Sequence, residues 1–195
     1  MTRAYVGVGA NLGDREATIR AALAALPWVV GVSRLRETNP VGVVDQPPFR
    51  NAVVALDAPA GPDPAAGAIA LLVALKGLER AFGRQKRERW GPRELDLDLL
   101  IFGRARLAID RPPEGVSLDP GKADRLLVVP HQEMPERLFV LAPLSDIAAG
   151  LVPPGWRETV ASATERRRRA EGPDAVRAVA AWDGDHAIWS PLADA

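Results

Sequence analysis

The sequence predicts an α+β fold of the ferredoxin-like βαββαβ type, an antiparallel sheet with helices packed on it and long functional loops. Strand and helix patterns follow one another in the order β-α-β-β-α-β. No helical pattern separates the two middle strands, which favours antiparallel pairing between them. The length of 195 residues, with 47% hydrophobic residues, is enough for one good core but short for two full domains.

The first half of the chain is predicted to form a strand, a helix and two further strands. Residues 4–8 are the first strand, and Asp14 can cap the helix that follows. Apolar residues recur on one face of that helix: Ile19, Ala22, Leu23 and Leu26. Two strands are predicted at 29–38 and 51–57. The connection 39–50 between them is too long for a tight hairpin turn, and connections of this length are often functional.

The second half is predicted to contain a helix (65–82), a polar loop (83–94), a strand (95–102), a long connection (103–124), a short strand (126–129) and a helix (137–149). Pro153-Pro154-Gly155 then marks a boundary, so we expect one domain over 1–153 and an extension over 154–195 that packs on the domain or trails from it. Residues 156–171 of the extension are predicted to be helical, and the remaining residues show no clear pattern.

Composition excludes several classes of function. The 25 Lys and Arg residues balance the 25 Asp and Glu residues, which argues against a nucleic-acid-binding protein. The absence of cysteine excludes disulfides and thiolate metal sites. The longest apolar stretch, residues 65–75, is too short to span a membrane, and no signal peptide is recognised at the start. We expect a cytoplasmic protein, as a monomer or alternatively a dimer.

Two aspartates on one predicted strand are the first candidate for chemistry. In the run Leu95-Asp96-Leu97-Asp98-Leu99, alternation puts both aspartates on one face and the leucines on the other. Two carboxylates about 6 Å apart repel each other by about 3 kcal/mol at an effective dielectric constant near 20. A Mg²⁺ ion that binds both would offset this repulsion. The alternative is an exposed strand face on which both aspartates meet water.

A run of basic residues directly precedes this strand. Between residues 80 and 93 there are six cationic side chains and one acidic side chain. The cationic residues are Arg80, Arg84, Lys86, Arg87, Arg89 and Arg93. Arginine forms bidentate, charge-assisted hydrogen bonds to phosphate oxygens, so the loop and the aspartates together favour binding of a polyphosphate. The alternative is a solvated basic loop that forms salt bridges with the aspartates.

The usual phosphate-binding motifs are absent. No G-x-x-x-x-G-K-[ST] sequence is present, and Gly7-x-Gly9 lacks the third glycine of a dinucleotide fingerprint. The protein-kinase signature is missing as well. These early glycines are instead predicted to belong to a tight strand-to-helix turn, which follows the strand that contains Gly7 and extends from Gly9 to Gly13.

A longer motif joins the basic run to the aspartates: Arg89-Trp90-Gly91-Pro92-Arg93-Glu94-Leu95-Asp96-Leu97-Asp98. It resembles the signature of the 6-hydroxymethyl-7,8-dihydropterin pyrophosphokinase family of the folate pathway. Other segments resemble the same family in the right order, and together they cover roughly residues 4–153. These are Gly7-x-Gly9-Ala10-Asn11-Leu12-Gly13-Asp14, Thr38-x-Pro40-Val41-Gly42, Asp45-Gln46-Pro47-x-Phe49-x-Asn51-Ala52, and Val129-Pro130-His131 with Arg137-x-Phe139.

The resemblance implies transfer of pyrophosphate from ATP to the hydroxymethyl group of the pterin, with release of AMP, as a step of tetrahydrofolate biosynthesis. Asp96 and Asp98 would hold two Mg²⁺ ions, and Arg84 and Arg93 would engage the phosphates; these four are the implied catalytic residues. The implied ATP-binding residues are Glu79, Arg84, Arg89, Trp90, Arg93 and His131.

The resemblance also implies a pterin site. Phe49 and Phe139 would sandwich the ring, Asn51 would hydrogen-bond its edge, and backbone groups at Thr38 and Val41 would contact the rest. This suits a flat, polar heterocycle, which requires two aromatic faces and an amide that both donates and accepts. Taken singly, either phenylalanine is also compatible with a position in the core.

The chain departs from the family pattern at three places. The loop 83–89 is about one residue shorter than expected, and Gln132 follows the histidine where an aromatic residue or proline is more usual. The segment 103–125 is longer than usual, which leaves Arg111 and Arg125 as candidates for the nucleotide side without assigned roles.

Two other classes of function are compatible with parts of the pattern. A single-stranded RNA-binding module shares the βαββαβ order, but it requires aromatic platforms on its central strands that this sequence lacks. A metal-dependent phosphohydrolase could use the aspartate pair, but it would need more carboxylate or histidine ligands nearby than this chain offers.

Overall fold

The computed structural model describes residues 1–40, 45–85, 91–118 and 125–192. The strands over these residues are β1 (Thr2–Ala10), β2 (Val29–Val32), β3 (Leu35–Thr38), β4 (Phe49–Ala58), β5 (Asp96–Phe102), β6 (Leu107–Ile109), β7 (Leu127–Val129), β8 (Val176–Asp183) and β9 (Ile188–Pro191). The α-helices are α1 (Arg15–Ala25), α2 (Pro64–Ala81), α3 (Leu138–Ala148) and α4 (Val160–Glu171).

The main sheet has the strand order β5-β1-β4-β3-β8-β9, and β2 also pairs with β4. All pairings among these strands are antiparallel. β1 and β4 lie at the centre and pair along their length, from Thr2 opposite Ala58 to Ala10 opposite Arg50. β6 and β7 form a separate antiparallel pair. The predicted α+β fold with an antiparallel sheet is therefore confirmed.

Helices cover both faces of the main sheet. α1 and α2 pack on the face that carries Leu56 of β4 and Leu97 of β5. α3 and α4 cover the opposite face, which carries Val53 and Ile101. Because side chains alternate along a strand, adjacent residues of β4 enter two different hydrophobic cores. None of the helices in the described ranges is long and apolar enough to cross a membrane.

Side-chain caps determine where three of the helices begin. Asp14 caps α1 as predicted, and its carboxylate accepts a hydrogen bond from the backbone N–H of Ala17 at 3.0 Å. Asp63 caps α2 in the same way, directly before a proline at the first helical position. Thr159 caps α4, so this helix begins at Val160 and not at residue 156 as predicted.

The segment 29–38, predicted as one strand, is two strands separated at Ser33. The Ser33 hydroxyl accepts a hydrogen bond from the backbone N–H of Val53 at 2.9 Å and donates one to the carbonyl of Arg34 at 2.8 Å. The Ser33 side chain thus uses backbone groups that a continuous strand would use for hydrogen bonds between strands. β2 and β3 therefore pair with different parts of β4.

The last part of the chain is ordered, whereas the sequence showed no pattern there. β8 pairs with β3 and extends the main sheet, and β9 pairs with β8. Trp189 is 4% exposed and packs edge-on against Trp182, and its indole N–H donates to the carbonyl of Ser33 at 3.1 Å. Residues distant in sequence thus stabilise the hairpin, and local alternation does not reveal such contacts. The proposed division at residues 153–154 stays a prediction.

Candidate active site

β5 presents its two aspartates to one end of the sheet. Leu97 and Leu99 are buried in the core against α2, while Asp96 and Asp98 remain partly exposed on the other face. The predicted alternation of this strand is therefore confirmed. Both aspartates line a cavity of about 580 Å³, here called the main cavity. It is also lined by Gly9, Thr38, Phe49, Asn51, Arg93, Arg125, Glu133, Arg137, Phe139, Arg167 and Glu171, among others.

Two arginines neutralise Asp96 in the structure. Arg84 and Arg93 both donate to its carboxylate, one to each oxygen. Arg84 also donates to the carbonyl of Leu95 at 2.9 Å. Burial lowers the pKa of Arg84, but Asp96 and Glu79 outweigh this and the pKa is raised. The salt bridges considered as the alternative at the sequence level thus form, although the two side chains are 4% and 15% exposed and not solvated.

A buried ion pair supports β5 from behind. The Glu79 carboxylate accepts hydrogen bonds from the backbone N–H of Leu97 and from Lys76 Nζ, both at 2.7 Å. Lys76 also donates to the carbonyl of Leu97 at 2.7 Å and lies 3.8 Å from an oxygen of Asp98. Burial raises the pKa of Glu79, which Lys76 and Arg84 oppose. Glu79 lies behind the strand, 1% exposed, which indicates a positioning role for this implied ATP-binding residue.

Asn11 connects three segments around the main cavity. Its side-chain oxygen accepts a hydrogen bond from the backbone N–H of Arg93 at 2.7 Å. Its side-chain N–H groups donate to Gln46 Oε1 at 2.9 Å and to the carbonyl of Pro47 at 3.1 Å. Asn11 belongs to the first motif of the resemblance, but the sequence suggested no role for it. These contacts hold the basic segment and the connection before β4 against the end of β1.

The four described residues of the implied pterin site lie together in the main cavity: Thr38, Phe49, Asn51 and Phe139. Asn51 donates to the Thr38 hydroxyl at 2.8 Å, which fixes the orientation of its amide. The turn predicted over residues 9–13 is shorter than expected, because Gly9 still lies within β1 and only residues 11–14 separate this strand from α1. A Cβ at Gly9 would lie 2.9 Å from the side-chain oxygen of Asn51, so the glycine makes room for this amide.

Three of the implied site residues, Val41, Arg89 and Trp90, lie outside the described residues. His131 lines a second, smaller cavity of about 30 Å³ and not the main one; Asp98 lines both. The Nδ1 atom of His131 accepts a hydrogen bond from the backbone N–H of Glu133 at 3.3 Å.

The structure adds cavity residues to which the sequence gave no role. Arg137 contacts the carboxylate of Glu133 and lies over the ring of Phe139, with its guanidinium carbon 5.5 Å from the ring centroid. The sequence signal that could have identified Arg137 as a site residue is its place in the motif Arg137-x-Phe139. Arg167 of α4 also lines the cavity and pairs with Glu136 at 3.0 Å. No signal in the sequence distinguished Arg167 from its basic neighbours.

The donor set is compatible with magnesium. No group of three or more His, Cys, Asp or Glu residues in the described ranges could hold a metal ion. Mg²⁺ does not require such a group, because it commonly takes one or two carboxylates and completes its shell with water and substrate phosphates. Asp96 and Asp98 supply two carboxylates at the edge of a cavity that arginines also line. The arrangement has the chemistry of a site that could hold a polyphosphate next to a flat ring, as in a class of phosphate-transferring enzymes.

Comparison with known proteins agrees with this class. A model of the family 7,8-dihydro-6-hydroxymethylpterin-pyrophosphokinase (HPPK) matches residues 5–149. The chain is 41% identical over 160 residues to the 2-amino-4-hydroxy-6-hydroxymethyldihydropteridine pyrophosphokinase of Pseudomonas aeruginosa, which covers 80% of this chain and 86% of the relative. It is 38% identical over 149 residues to the Bacillus subtilis enzyme of the same name, which covers 74% of this chain and 77% of the relative.

A solved structure resembles the whole described fold. The Plasmodium falciparum HPPK-DHPS with pterin and p-hydroxybenzoate superposes with a TM-score of 0.69 at 14% identity. The match covers 98% of this chain but 48% of that chain, so the chain spans about half the length of this longer protein. At this identity the likeness concerns the fold alone. From the family match and the bacterial relatives, the chain belongs to the HPPK family.

Proposed function

We infer that this chain transfers the pyrophosphoryl group of ATP to the hydroxymethyl group of 6-hydroxymethyl-7,8-dihydropterin. The products are AMP and the pterin diphosphate, in a step of tetrahydrofolate biosynthesis. The enzyme is thus a 2-amino-4-hydroxy-6-hydroxymethyldihydropteridine diphosphokinase, as membership of the HPPK family indicates. One observation supports the roles proposed for individual residues. The main cavity is lined by both aspartates of β5 and by the side chains of Phe49, Asn51 and Phe139.

The pterin is proposed to bind between Phe49 and Phe139. Two aromatic faces favour stacking of a flat heterocycle. Asn51 offers an amide that can donate to and accept from the ring edge, and its hydrogen bond to Thr38 holds it in one orientation before the ligand arrives. Val41 is proposed to contribute through its backbone, as the resemblance implies. The ring is thereby oriented with its hydroxymethyl group toward β5.

The triphosphate is proposed to bind at Arg84, Arg93 and His131, with Arg89 and Trp90 contributing from the basic loop. In the free chain the buried Arg84 and the partly buried Arg93 contact Asp96. When ATP is present they can donate to phosphate oxygens, which accept the same charge-assisted hydrogen bonds. Such contacts hold the triphosphate in line with the attacking hydroxyl oxygen and stabilise charge on the transferred group.

Asp96 and Asp98 are proposed to hold two Mg²⁺ ions. When bound, the metal ions neutralise the triphosphate and polarise the group that is transferred. The chain's own contribution is to hold both carboxylates on one face of a strand that Lys76 and Glu79 support from behind. Asp96 and Asp98 therefore need little reorganisation when the substrate arrives.

The reaction is tested by incubating the protein with ATP, Mg²⁺ and 6-hydroxymethyl-7,8-dihydropterin and measuring nucleotide products by chromatography. AMP is expected. Asp96→Ala should lower the rate of AMP formation at least about a hundredfold, because it removes one of the two carboxylates. Asp57→Ala is a matched control, since Asp57 forms an exposed salt bridge with Arg3.

Two results would contradict the proposal. Formation of ADP or inorganic phosphate in place of AMP would favour a phosphohydrolase or an ordinary kinase. Full AMP formation by Asp96→Ala would exclude the proposed role of the carboxylate. The monomeric state and the cytoplasmic location stay predictions from the sequence.

A further inference from the structure

The connection between β6 and β7 brings an additional arginine to the carboxylate pair. Arg111 lies on this connection and lines the smaller cavity together with Lys76, Asp98, Arg125 and His131. Because Asp98 also lines the main cavity, the smaller cavity begins at one of the two proposed metal ligands. Arg111 therefore lies within a few side chains of the reacting phosphates.

The connection that carries Arg111 is held against α2. Arg80 on this helix donates to the carbonyl of Glu114 at 2.8 Å. Gly115 is buried, and a Cβ there would lie 3.1 Å from a methyl group of Leu72. Contacts of this closeness fix the backbone beside Arg111.

Arg111 is the cation of this cavity that forms no salt bridge within the described part of the chain. Lys76 pairs with Glu79 at 2.7 Å, and Arg125 pairs with Glu133 at 2.9 Å. With the residues that the structure describes, Arg111 forms one hydrogen bond, from Nη2 to the carbonyl of Leu126 at 3.3 Å.

The remaining donors of Arg111 point to an anionic ligand. Its Nε is buried and has no hydrogen-bond partner among the described residues. Burial lowers the pKa of Arg111, and Asp98 and Glu79 partly oppose this. A partly desolvated guanidinium with an unpaired buried N–H is costly in the free protein, and an anion that enters the cavity would remove this cost.

We propose that Arg111 is a further nucleotide-binding residue that donates to a phosphate oxygen of ATP. The inference rests on the proposed function, since ATP is the polyanion that the reaction brings to Asp98. Arg111 lies in the segment 103–125, which is longer than the family pattern. It therefore adds to the contacts that the family resemblance implies.

The test compares steady-state AMP formation by Arg111→Gln and by the unchanged enzyme while each substrate is varied in turn. The KM for ATP should rise roughly tenfold or more, as expected for loss of one charge-assisted hydrogen bond. The kcat and the KM for the pterin should change by less than about twofold. Arg111→Lys should lie between the two, because it keeps the charge and loses the planar fork.

Arg104→Gln is the matched control, because Arg104 is an exposed arginine on the turn between β5 and β6. It should leave both KM values unchanged. An unchanged KM for ATP in Arg111→Gln would overturn the inference. Equal increases in both KM values would show a structural role and also overturn it. A melting temperature of Arg111→Gln so low that the loss of folded protein accounts for the loss of activity would do the same.

Direct binding separates this inference from the proposed reaction. Calorimetry with a non-hydrolysable methylene analogue of ATP and Mg²⁺ should show roughly tenfold weaker binding to Arg111→Gln. Inhibition by adenosine, which has no phosphate, should be unchanged. Equal weakening of both ligands would place the contact on the nucleoside and overturn the phosphate assignment. If the unchanged enzyme forms no AMP but binds the analogue, the proposed function fails, and the comparison of variants still tests Arg111.

Discussion

Removal of the buried carboxylate behind β5 should strongly destabilise the protein. The change is Glu79→Ala. In the structure Glu79 and Lys76 are 1% and 4% exposed, and a single Glu79 oxygen accepts from both Lys76 Nζ and the backbone N–H of Leu97. The variant leaves a buried ammonium and a buried backbone N–H without this acceptor.

The expected magnitude follows from these two losses. Breaking a buried ion pair costs about 3–5 kcal/mol, because one charge remains uncompensated. A buried donor left unsatisfied costs about 1–3 kcal/mol. Because one oxygen of Glu79 serves both donors, the two costs overlap, and we expect the free energy of unfolding to fall by about 4 kcal/mol.

Urea denaturation followed by the fluorescence of the five tryptophans measures this change. The control is Glu165→Ala on α4, where the carboxylate is 49% exposed and pairs with Arg169 at 3.0 Å. An exposed pair of this kind contributes about 0–1 kcal/mol, so the control should change stability little. An equal effect of the two variants would contradict the assigned importance of burial.

A second substitution tests whether the cost is the uncompensated charge. Adding Lys76→Met to Glu79→Ala removes the ammonium that the single variant leaves buried. The double variant should therefore be less destabilised than the sum of the two single variants by at least about 1 kcal/mol. Additive effects would refute the reasoning and indicate that packing, not charge, determines the loss.

Three further changes test other contacts of the site and the fold. Asn11→Ala removes the acceptor of a backbone N–H and two donated bonds, so the free energy of unfolding in urea should fall by about 1–3 kcal/mol. Gly9→Ala should displace the Asn51 amide and raise the KM for the pterin severalfold. Gly7→Ala is its control, because a Cβ there has only ordinary contacts, and equal KM values would contradict the expectation. Trp189→Ala should cost about 3–5 kcal/mol and reduce amide-exchange protection of the β8–β9 hairpin, whereas unchanged protection would show that the indole does not hold it.

Local sequence patterns predicted the parts of the site that depend on strand geometry. The alternation around Asp96 and Asp98 has a period of two, and a strand converts that period directly into one shared face. The structure also brings Phe49, Asn51 and Phe139 into one cavity. The sequence related these three residues to one another through the family resemblance.

Contacts between distant segments were not predictable in the same way. Burial of Arg84 depends on Glu79 of α2 and on the carbonyl of Leu95 just before β5, which come together only in the folded chain. The hairpin of β8 and β9 depends on contacts with β3, more than a hundred residues earlier. The sequence therefore left a solvated basic loop open as the alternative and showed no clear pattern in the last segment.

The charge arrangement explains how the carboxylate pair persists in the free protein. The sequence indicated that Asp96 and Asp98 would repel each other unless a cation offset the repulsion. The chain provides these cations itself, because Arg84 and Arg93 contact Asp96 and Lys76 lies 3.8 Å from Asp98. Under the proposed function, nucleotide binding would exchange carboxylate for phosphate on cations that are already in position, so the protein would not need to gather them during the reaction. A zero net charge of the whole chain is compatible with this site, because Asp96 and Asp98 lie beside cations of the same chain.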